Sequence, residues 1–188
     1  MSKIIMIGCD LHDKTMLLKI AEGRDEAQTR SVANTATGRA KMIADLRERA
    51  VAAGGARVLF AYEASGQGFG LYDQLTDAGI ECHVLAPTKI ARSQRQASQK
   101  TDEKDAQHLV ELLRAHVLAG NELPSVWIPD PLTRDDRELV RLRLDAAEKV
   151  TILKAQIQSL LKRSGVRRDS ESGKGWTRLF RGWLIHTL

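Results

Sequence analysis

The apolar positions of the chain follow two different periods, and these periods alternate up to about Gly120. Short continuous apolar runs, such as residues 4–9 and 57–62, are typical of strands buried on both faces of a sheet. Longer segments repeat apolar residues every three or four positions, which is typical of helices that pack on one side. The pattern predicts strands at residues 3–10, 15–20, 28–33, 57–62 and 80–86, and helices that begin near residues 34, 68 and 102.

The pattern changes after this first part of the chain. Residues 120–132 contain one glycine and three prolines, which predict a linker. Leu139, Ala146, Leu153 and Leu160 then recur every seven residues among charged residues, which indicates a coiled-coil-like helix of roughly 45 Å. The sequence therefore predicts a mixed α/β domain at residues 1–119, a linker at 120–132, a long helix at 133–165 and a basic segment at 166–188. The apolar pattern continues up to Leu188, so we expect this chain to be a shortened form of a longer protein.

The composition fits a protein with a substantial core and no membrane span. Hydrophobic residues make up 43% and charged residues 28% of the 188 residues. No apolar run approaches the roughly 20 residues that cross a bilayer, and no signal-peptide pattern follows Met1, so we expect a cytoplasmic protein. Cys9 and Cys82 are far apart in apolar surroundings, which indicates buried thiols. Together with His12 and His83 they lack the paired spacing of a zinc site.

The net charge of +5 is unevenly distributed. Residues 1–129 hold 16 of the 29 lysines and arginines and 16 of the 24 acidic residues, whereas residues 130–188 hold 13 and 8. A basic tail on an electrically balanced domain indicates a polyanionic partner such as DNA or RNA. A solvated charged helix would give the same composition, so charge alone does not choose between the two interpretations.

Acidic residues follow two of the predicted buried strands. Asp10 ends the first strand, and Glu63 follows residues 57–62. A carboxylate beside a buried strand is unfavourable unless a partner stabilises it, and ligand sites of open α/β sheets gather at the carboxyl ends of strands. If the two strands are adjacent and parallel, both carboxylates lie at one edge of the sheet. The alternative for Asp10 is a place in an ordinary turn.

Another acidic pair lies in the string Lys-Thr-Asp-Glu-Lys-Asp-Ala at residues 100–106. Asp102 and Asp105 are three positions apart at the start of a predicted helix, so they share one helical face. Two carboxylates on one face repel each other, and Mg²⁺ or Mn²⁺ between them would remove that repulsion because hard cations prefer oxygen ligands. Alternatively, Thr101 caps the helix and the acidic residues only favour its positive end.

Basic and hydroxyl side chains lie close to these acids in the sequence. Residues 88–99 are polar and basic with few apolar anchors, which predicts a loop or a partly ordered helix suited to phosphate contacts. An ordinary surface loop would have the same composition. Ser65 precedes a predicted helix, where it would contact a phosphate or simply cap the helix. The candidate nucleic-acid-binding residues are Lys89, Arg92, Arg95, Lys100, Lys104 and Ser65.

The order of Asp10, Tyr-Glu-Ala-Ser-Gly at residues 62–66 and the string at residues 100–106 resembles the DEDD transposase family of bacterial insertion sequences, which includes Piv-type recombinases. The resemblance covers residues 3–165. It implies an RNase H-like (RuvC-like) domain that cleaves and transfers DNA strands with Mg²⁺ or Mn²⁺. Its catalytic and metal-binding tetrad falls on Asp10, Glu63, Asp102 and Asp105. It also implies DNA as a partner, a guide RNA as a second candidate partner, and a homo-oligomer through the helix at 133–165.

The chain departs from that family in one respect. Family members continue into a second domain with a serine implicated in strand cleavage and joining, and nothing in residues 166–188 matches it, so we expect the N-terminal part of a transposase. Two other functions stay open, namely a RuvC-like structure-specific endonuclease and a non-catalytic nucleic-acid-binding or dimerisation fragment. An actin-like ATPase also opens with a strand and an aspartate, but residues 10–14 lack the glycines of a phosphate-binding loop.

Overall fold

Five strands form one mixed sheet in the computed structural model, which describes residues 3–90, 101–168 and 173–187. The first three strands are antiparallel neighbours, whereas the fourth pairs parallel to the first and the fifth pairs parallel to the fourth. The predicted mixed α/β sheet with an antiparallel start is therefore confirmed. The strands are β1 (Ile4–Leu11), β2 (Thr15–Glu22), β3 (Gln28–Ala33), β4 (Arg57–Glu63) and β5 (Glu81–Leu85), in the spatial order β3-β2-β1-β4-β5.

Three of the described helices begin where a side chain caps them. The side chains of Thr35, Thr101 and Asp130 each accept a hydrogen bond from a backbone N–H in the first turn, which satisfies a donor that the helix itself leaves unpaired. Gly120 follows the third helix with φ of 74°, a left-handed conformation that glycine adopts without strain. Among the described residues, the helices are α1 (Ala36–Ala52), α2 (Gly70–Asp77), α3 (Asp102–Ala119), α4 (Pro131–Arg163) and α5 (Arg178–Thr187).

The sheet is covered by helices on both faces, because alternate residues of its central strands point to opposite sides. On one face, Ile5, Ile7 and Phe60 belong to a buried cluster with residues of α1 and α2. On the other face, Met6 and Leu59 belong to a second buried cluster with residues of α3. Burial on both sides explains why β1 and β4 read as continuous apolar runs.

Helix α3 approaches strand β1 unusually closely at Gly8. A Cβ atom at residue 8 would lie 2.1 Å from the carbonyl oxygen of Ala106 and 2.9 Å from both Leu109 Cβ and Val110 N. No side chain fits in this space, so glycine allows the backbone of the helix to lie directly on the strand. The first turn of α3 is thereby brought close to the carboxyl end of β1.

Polar contacts also fix α3 over the antiparallel part of the sheet. Lys19 Nζ in β2 lies 3.5 Å from the carboxylate of Glu103. In the turn after the same strand, Arg114 donates from Nε to the carbonyl oxygen of Gly23 at 3.3 Å and from Nη2 to that of Asp25. These contacts hold the helix at two points along its length, so its position along the strand is defined.

The chain divides into two compact units, Met1–Ile128 and Pro129–Leu188. The segment predicted as a linker is partly attached to the first unit, since Ala86 N donates to Pro124 O and Val126 N donates to Val84 O, both at 2.8 Å. In the second unit, α4 is a single 33-residue helix. Among the described residues, no helix has the length and apolar character that crossing a membrane requires.

Aromatic and cationic side chains pack together in the second unit. The Phe180 ring stacks on Trp183 and meets Trp176 edge-on, with ring centroids 5.5 and 5.2 Å apart. Arg168 lies over the Phe180 ring, and Lys154 of α4 lies over Trp176. Such cation–π contacts help to hold α5 and its preceding turn against α4.

The close packing at Gly8 predicts that Gly8→Ala destabilises the first unit. The added methyl group meets backbone atoms that cannot rotate away, so we expect the free energy of unfolding to fall by about 1–3 kcal/mol or more. Urea unfolding followed by circular dichroism measures the change.

Gly70→Ala is the matched control, because its Cβ would have Arg39 Nη1 as its nearest neighbour at an ordinary 3.9 Å. We expect this variant to unfold within about 0.5 kcal/mol of the unchanged protein. Equal unfolding midpoints for the two variants would contradict the close-packing argument.

Candidate metal centre

Two acidic residues lie at the carboxyl ends of adjacent parallel strands. β1 and β4 pair in parallel up to Cys9 and Tyr62, and Asp10 and Glu63 each come one residue later. Because side chains alternate along a strand, Asp10 lies on the same face of the sheet as Gly8, which is the face that α3 covers. By the same alternation, Glu63 shares the face of Ala61, which packs in the α3 cluster.

The other two acidic residues of the predicted tetrad enter from the helix. Asp102 and Asp105 both lie in the first turn of α3, whose N-terminal end is capped by Thr101 Oγ1 accepting from Lys104 N at 3.3 Å. The positive end of the helix stabilises carboxylates there. The capping interpretation and the metal-binding interpretation are therefore compatible, because the same turn that is capped also lies over the end of β1.

Three side chains form the tightest group of possible metal ligands among the described residues. Asp10, His12 and Asp102 each offer one ligand atom, and these atoms all lie within 4.8 Å of one another. His12 Nε2 lies 3.0 Å from Asp10 Oδ2, in hydrogen-bond contact, and 3.6 Å from Asp102 Oδ2. The side chains are 20% exposed for Asp10, 50% for His12 and 65% for Asp102, so the group opens to solvent and a large substrate can reach it.

The electrostatics of Asp10 reflect this crowding. Burial at the strand end raises the pKa of its carboxyl group, and the hydrogen bond and charge of His12 lower it. The nearby carboxylates of Asp102 and Asp105 raise the pKa further, and the net shift is upward. Asp105 therefore lies close enough to act on Asp10, although Asp105 and Glu63 both lie outside the group within 4.8 Å.

A hydrogen-bonded network fixes the turn that carries His12. Asn34 Nδ2 donates to the carbonyl oxygen of His12 at 2.7 Å and to Gln67 Oε1 at 2.9 Å. Gln67 Nε2 donates to Asp13 Oδ1 at 3.2 Å, and Arg39 Nε donates to Asn34 Oδ1 at 2.6 Å. The turn after β1 is thus tied both to the loop after β4 and to the start of α1.

The predicted nucleic-acid-binding residues are only partly within the described structure. Lys89 is exposed at the end of a short 3-10 turn, Pro87–Lys89, and Lys104 is exposed in the first turn of α3. Ser65 is exposed in the loop after β4, where its Oγ accepts from Gln67 N at 3.4 Å. Arg92, Arg95 and Lys100 lie outside the described residues, as does most of the segment 88–99.

Sequence reasoning missed two residues that matter to this site. The apolar pattern places Gly8 in a strand and gives it no further role, although an isolated glycine in a strand can signal a close backbone approach. The sequence relates His12 only to the cysteines, yet Cys9 is buried in the core and His12 instead contacts Asp10. The available signal was the spacing of Asp10 and His12 across a strand end, which by itself is weak.

Known proteins resemble this chain at two levels. The transposase family model of the DEDD IS110 type matches residues 7–165. Over 127 residues the chain is 36% identical to "Putative transposase y4qE" of Sinorhizobium fredii (strain NBRC 101917 / NGR234), a match that covers 68% of this chain and 30% of that relative. The chain therefore spans less than a third of that relative's length.

Among solved structures, the large terminase nuclease from thermophilic phage G20c is similar over 63% of this chain and 56% of that chain. The sequence identity is 14% and the TM-score is 0.35, which is too low to establish a common fold.

The raised pKa of Asp10 predicts a stabilising substitution. A carboxyl whose pKa is higher in the folded than in the unfolded chain lowers stability once it is ionised, and this effect disappears at pH values below its usual pKa. In chelator at pH 7 we therefore expect Asp10→Asn to raise the melting temperature by about 1–3 °C. Differential scanning calorimetry measures the shift.

Asp25→Asn serves as the control, because it removes one negative charge from an exposed turn. Its melting temperature should match that of the unchanged protein. A lower melting temperature for Asp10→Asn would show that the ionised carboxylate of Asp10 does not destabilise the fold.

Proposed function

The chain belongs to the DEDD transposase family of the IS110 type, and on that premise we propose that its acidic centre carries out metal-dependent cleavage and strand transfer of DNA phosphodiesters. The observation that supports this proposal is the meeting of separate elements at one sheet edge. Asp10 from β1 lies beside Asp102 from α3, with Asp105 close by and Glu63 at the end of the neighbouring strand. Such a cluster of acids destabilises the fold unless a cation offsets the repulsion, and functional sites commonly contain such clusters.

The donor set fits a hard divalent cation. We propose that Asp10, Glu63, Asp102 and Asp105 hold Mg²⁺ or Mn²⁺, since carboxylate oxygens are the ligands that these ions prefer. Burial and, to a smaller extent, the carboxylates of Asp102 and Asp105 raise the pKa of Asp10, and a cation would stabilise its ionised form. When bound, the metal supplies charge stabilisation for the attacking and leaving oxygens of a phosphodiester.

The residues around the centre are suited to hold a nucleic-acid backbone. The exposed cations Lys89 and Lys104 would contact phosphates, together with Ser65 and the basic residues Arg92, Arg95 and Lys100. Such contacts give affinity without sequence information, so the target sequence would be read elsewhere. The basic excess of residues 130–188 is compatible with DNA and with a guide RNA.

We also propose that the sheet is of the RNase H-like, RuvC-like type. Three antiparallel strands followed by two strands parallel to the first, with helices on both faces, support this assignment. In this interpretation the catalytic domain is residues 1–119, and the chain acts in the cytoplasm.

The long helix supports a further proposal, that the protein forms a homo-oligomer. Leu139, Val150, Leu153 and Leu160 of α4 expose about half or more of their surface, between 48% and 68%. Three of them belong to a heptad row, which is the pattern that buries such residues when two helices pair as a coiled coil. The same observation favours the alternative of a non-catalytic binding or dimerisation fragment.

Two outcomes would separate the rival functions. Cleavage of branched DNA by these 188 residues alone would favour a stand-alone endonuclease similar to a junction resolvase. Nucleic-acid binding that is unaffected by chelator, without cleavage, would favour the non-catalytic fragment.

The metal proposal predicts that Asp102→Ala with Asp105→Ala lowers the affinity for Mn²⁺ and Mg²⁺ at least about tenfold, because ligands cost no less than the outer-shell partners that orient them. Isothermal titration calorimetry measures both affinities. The control is Asp135→Ala with Asp136→Ala, which removes two exposed acids from α4. Equal binding by the unchanged protein and the Asp102/Asp105 variant would count against these ligands.

The DNA proposal predicts that Lys89→Ala with Lys104→Ala weakens binding to unrelated duplexes uniformly. Each lost phosphate contact should reduce the slope of log affinity against log salt concentration by about 1. Fluorescence anisotropy at several salt concentrations measures this slope. Lys41→Ala with Arg47→Ala removes two exposed cations from α1 on the opposite face, and it should leave the slope unchanged. An unchanged slope in both variants would place the DNA elsewhere.

A further inference from the structure

We propose that His12 is a nitrogen ligand of the metal centre and that it makes the site prefer Mn²⁺ over Mg²⁺. This inference rests on the proposed function, which places a divalent cation among the acidic residues. It goes beyond that function because the DEDD tetrad consists of carboxylates alone and leaves the choice of metal open.

The imidazole of His12 lies close to two carboxylates at once, those of Asp10 and Asp102. Nε2 is the His12 atom that faces the centre, at 3.0 Å from Asp10 Oδ2 and 3.6 Å from Asp102 Oδ2. The ligand atoms of His12, Asp10 and Asp102 all lie within 4.8 Å of one another, and Glu63 and Asp105 are not members of this group. A cation that contacts Asp10 and Asp102 together would lie within reach of Nε2.

The backbone of His12 is fixed independently of any metal. His12 N donates to Thr15 O at 2.9 Å, and His12 O accepts from Asn34 Nδ2 at 2.7 Å. Asn34 is itself held by Arg39 and Gln67. The ring is thus presented from a turn that is already in place, which lowers the entropic cost of forming a ligand set.

The charge balance of the site also favours an imidazole. Asp10 and Asp102 already bring two carboxylates together, and Asp105 lies in the same first turn of α3 as Asp102, so these acids repel one another. A further carboxylate would increase this repulsion, whereas a neutral imidazole adds a ligand without adding negative charge. His12 therefore completes a ligand set at the edge where additional acids are least tolerated.

The nitrogen ligand has a consequence for metal choice. Mg²⁺ takes oxygen ligands in a strict octahedron and gives up its waters reluctantly. Mn²⁺ also accepts carboxylate oxygens, but as a first-row transition ion it is a better partner for imidazole nitrogen than Mg²⁺ is, so a mixed nitrogen and oxygen set shifts preference from Mg²⁺ toward Mn²⁺. The loss of His12 should accordingly affect Mn²⁺ much more than Mg²⁺.

The test is calorimetric titration of the 188-residue chain with Mn²⁺ and, separately, with Mg²⁺. We expect the unchanged protein to bind Mn²⁺ about tenfold or more tightly than Mg²⁺, and His12→Ala to lose most of this ratio. His12→Asn keeps a side-chain amide that can hydrogen-bond to Asp10 but has no imidazole nitrogen, so it should behave like His12→Ala. His186→Ala removes an exposed histidine from α5 and is the matched control.

A spectroscopic measurement separates a ligand from a residue that only positions Asp10. With Mn²⁺ bound, pulsed electron paramagnetic resonance should detect a coupled imidazole nitrogen in the unchanged protein and in His186→Ala, and neither His12 variant should show it. If the signal is missing although Mn²⁺ binds, or if the Mn²⁺ to Mg²⁺ ratio survives in His12→Ala, this inference is wrong while the acidic centre stands. If the unchanged protein binds neither metal, the proposed centre itself fails.

Discussion

The contact between helix α3 and strand β1 at Gly8 is the constraint on which the candidate site depends. The backbone of Ala106 lies where a side chain of residue 8 would have to be, so the helix is as close to the strand as two backbones allow. Asp102 and Asp105 precede Ala106 by four residues and by one residue, and Asp10 is two residues from Gly8 along the strand. The close packing at Gly8 therefore sets the distance between Asp10 and the carboxylates of Asp102 and Asp105.

That arrangement has an energetic consequence that the rest of the fold offsets. Burial of Asp10 and its approach to Asp102 and Asp105 raise the pKa of its carboxyl group, and the lost stability must come from elsewhere. Two apolar clusters on opposite faces of the sheet supply it, and the Lys19–Glu103 and Arg114 contacts prevent α3 from moving away. Functional sites commonly concentrate unfavourable charge in this way because a ligand relieves it.

Much of the local structure could be predicted from the sequence because it is encoded by neighbouring residues. The apolar run at residues 4–9 predicted a strand, and Thr101 before Asp102 predicted a helix start, since periodicity and capping act over a few positions. The strand-end position of Asp10 and Glu63 also predicted their common edge. His12 was not predicted as a neighbour of Asp102, because the two residues are remote in sequence and no spacing rule relates them.

The sequence by itself determined which segments are strands and helices, where acidic residues follow buried strands, and which family the motifs resemble. Only the tertiary structure decided which of these acids meet. Asp10 lies beside Asp102 because β1 occupies the centre of the sheet and because α3 crosses it at a residue without a side chain. Hydrophobic patterning specifies that a helix covers this face. How closely the helix approaches, and at which residue, depends on side-chain volumes in two elements about a hundred residues apart in the sequence. No local pattern contains that information.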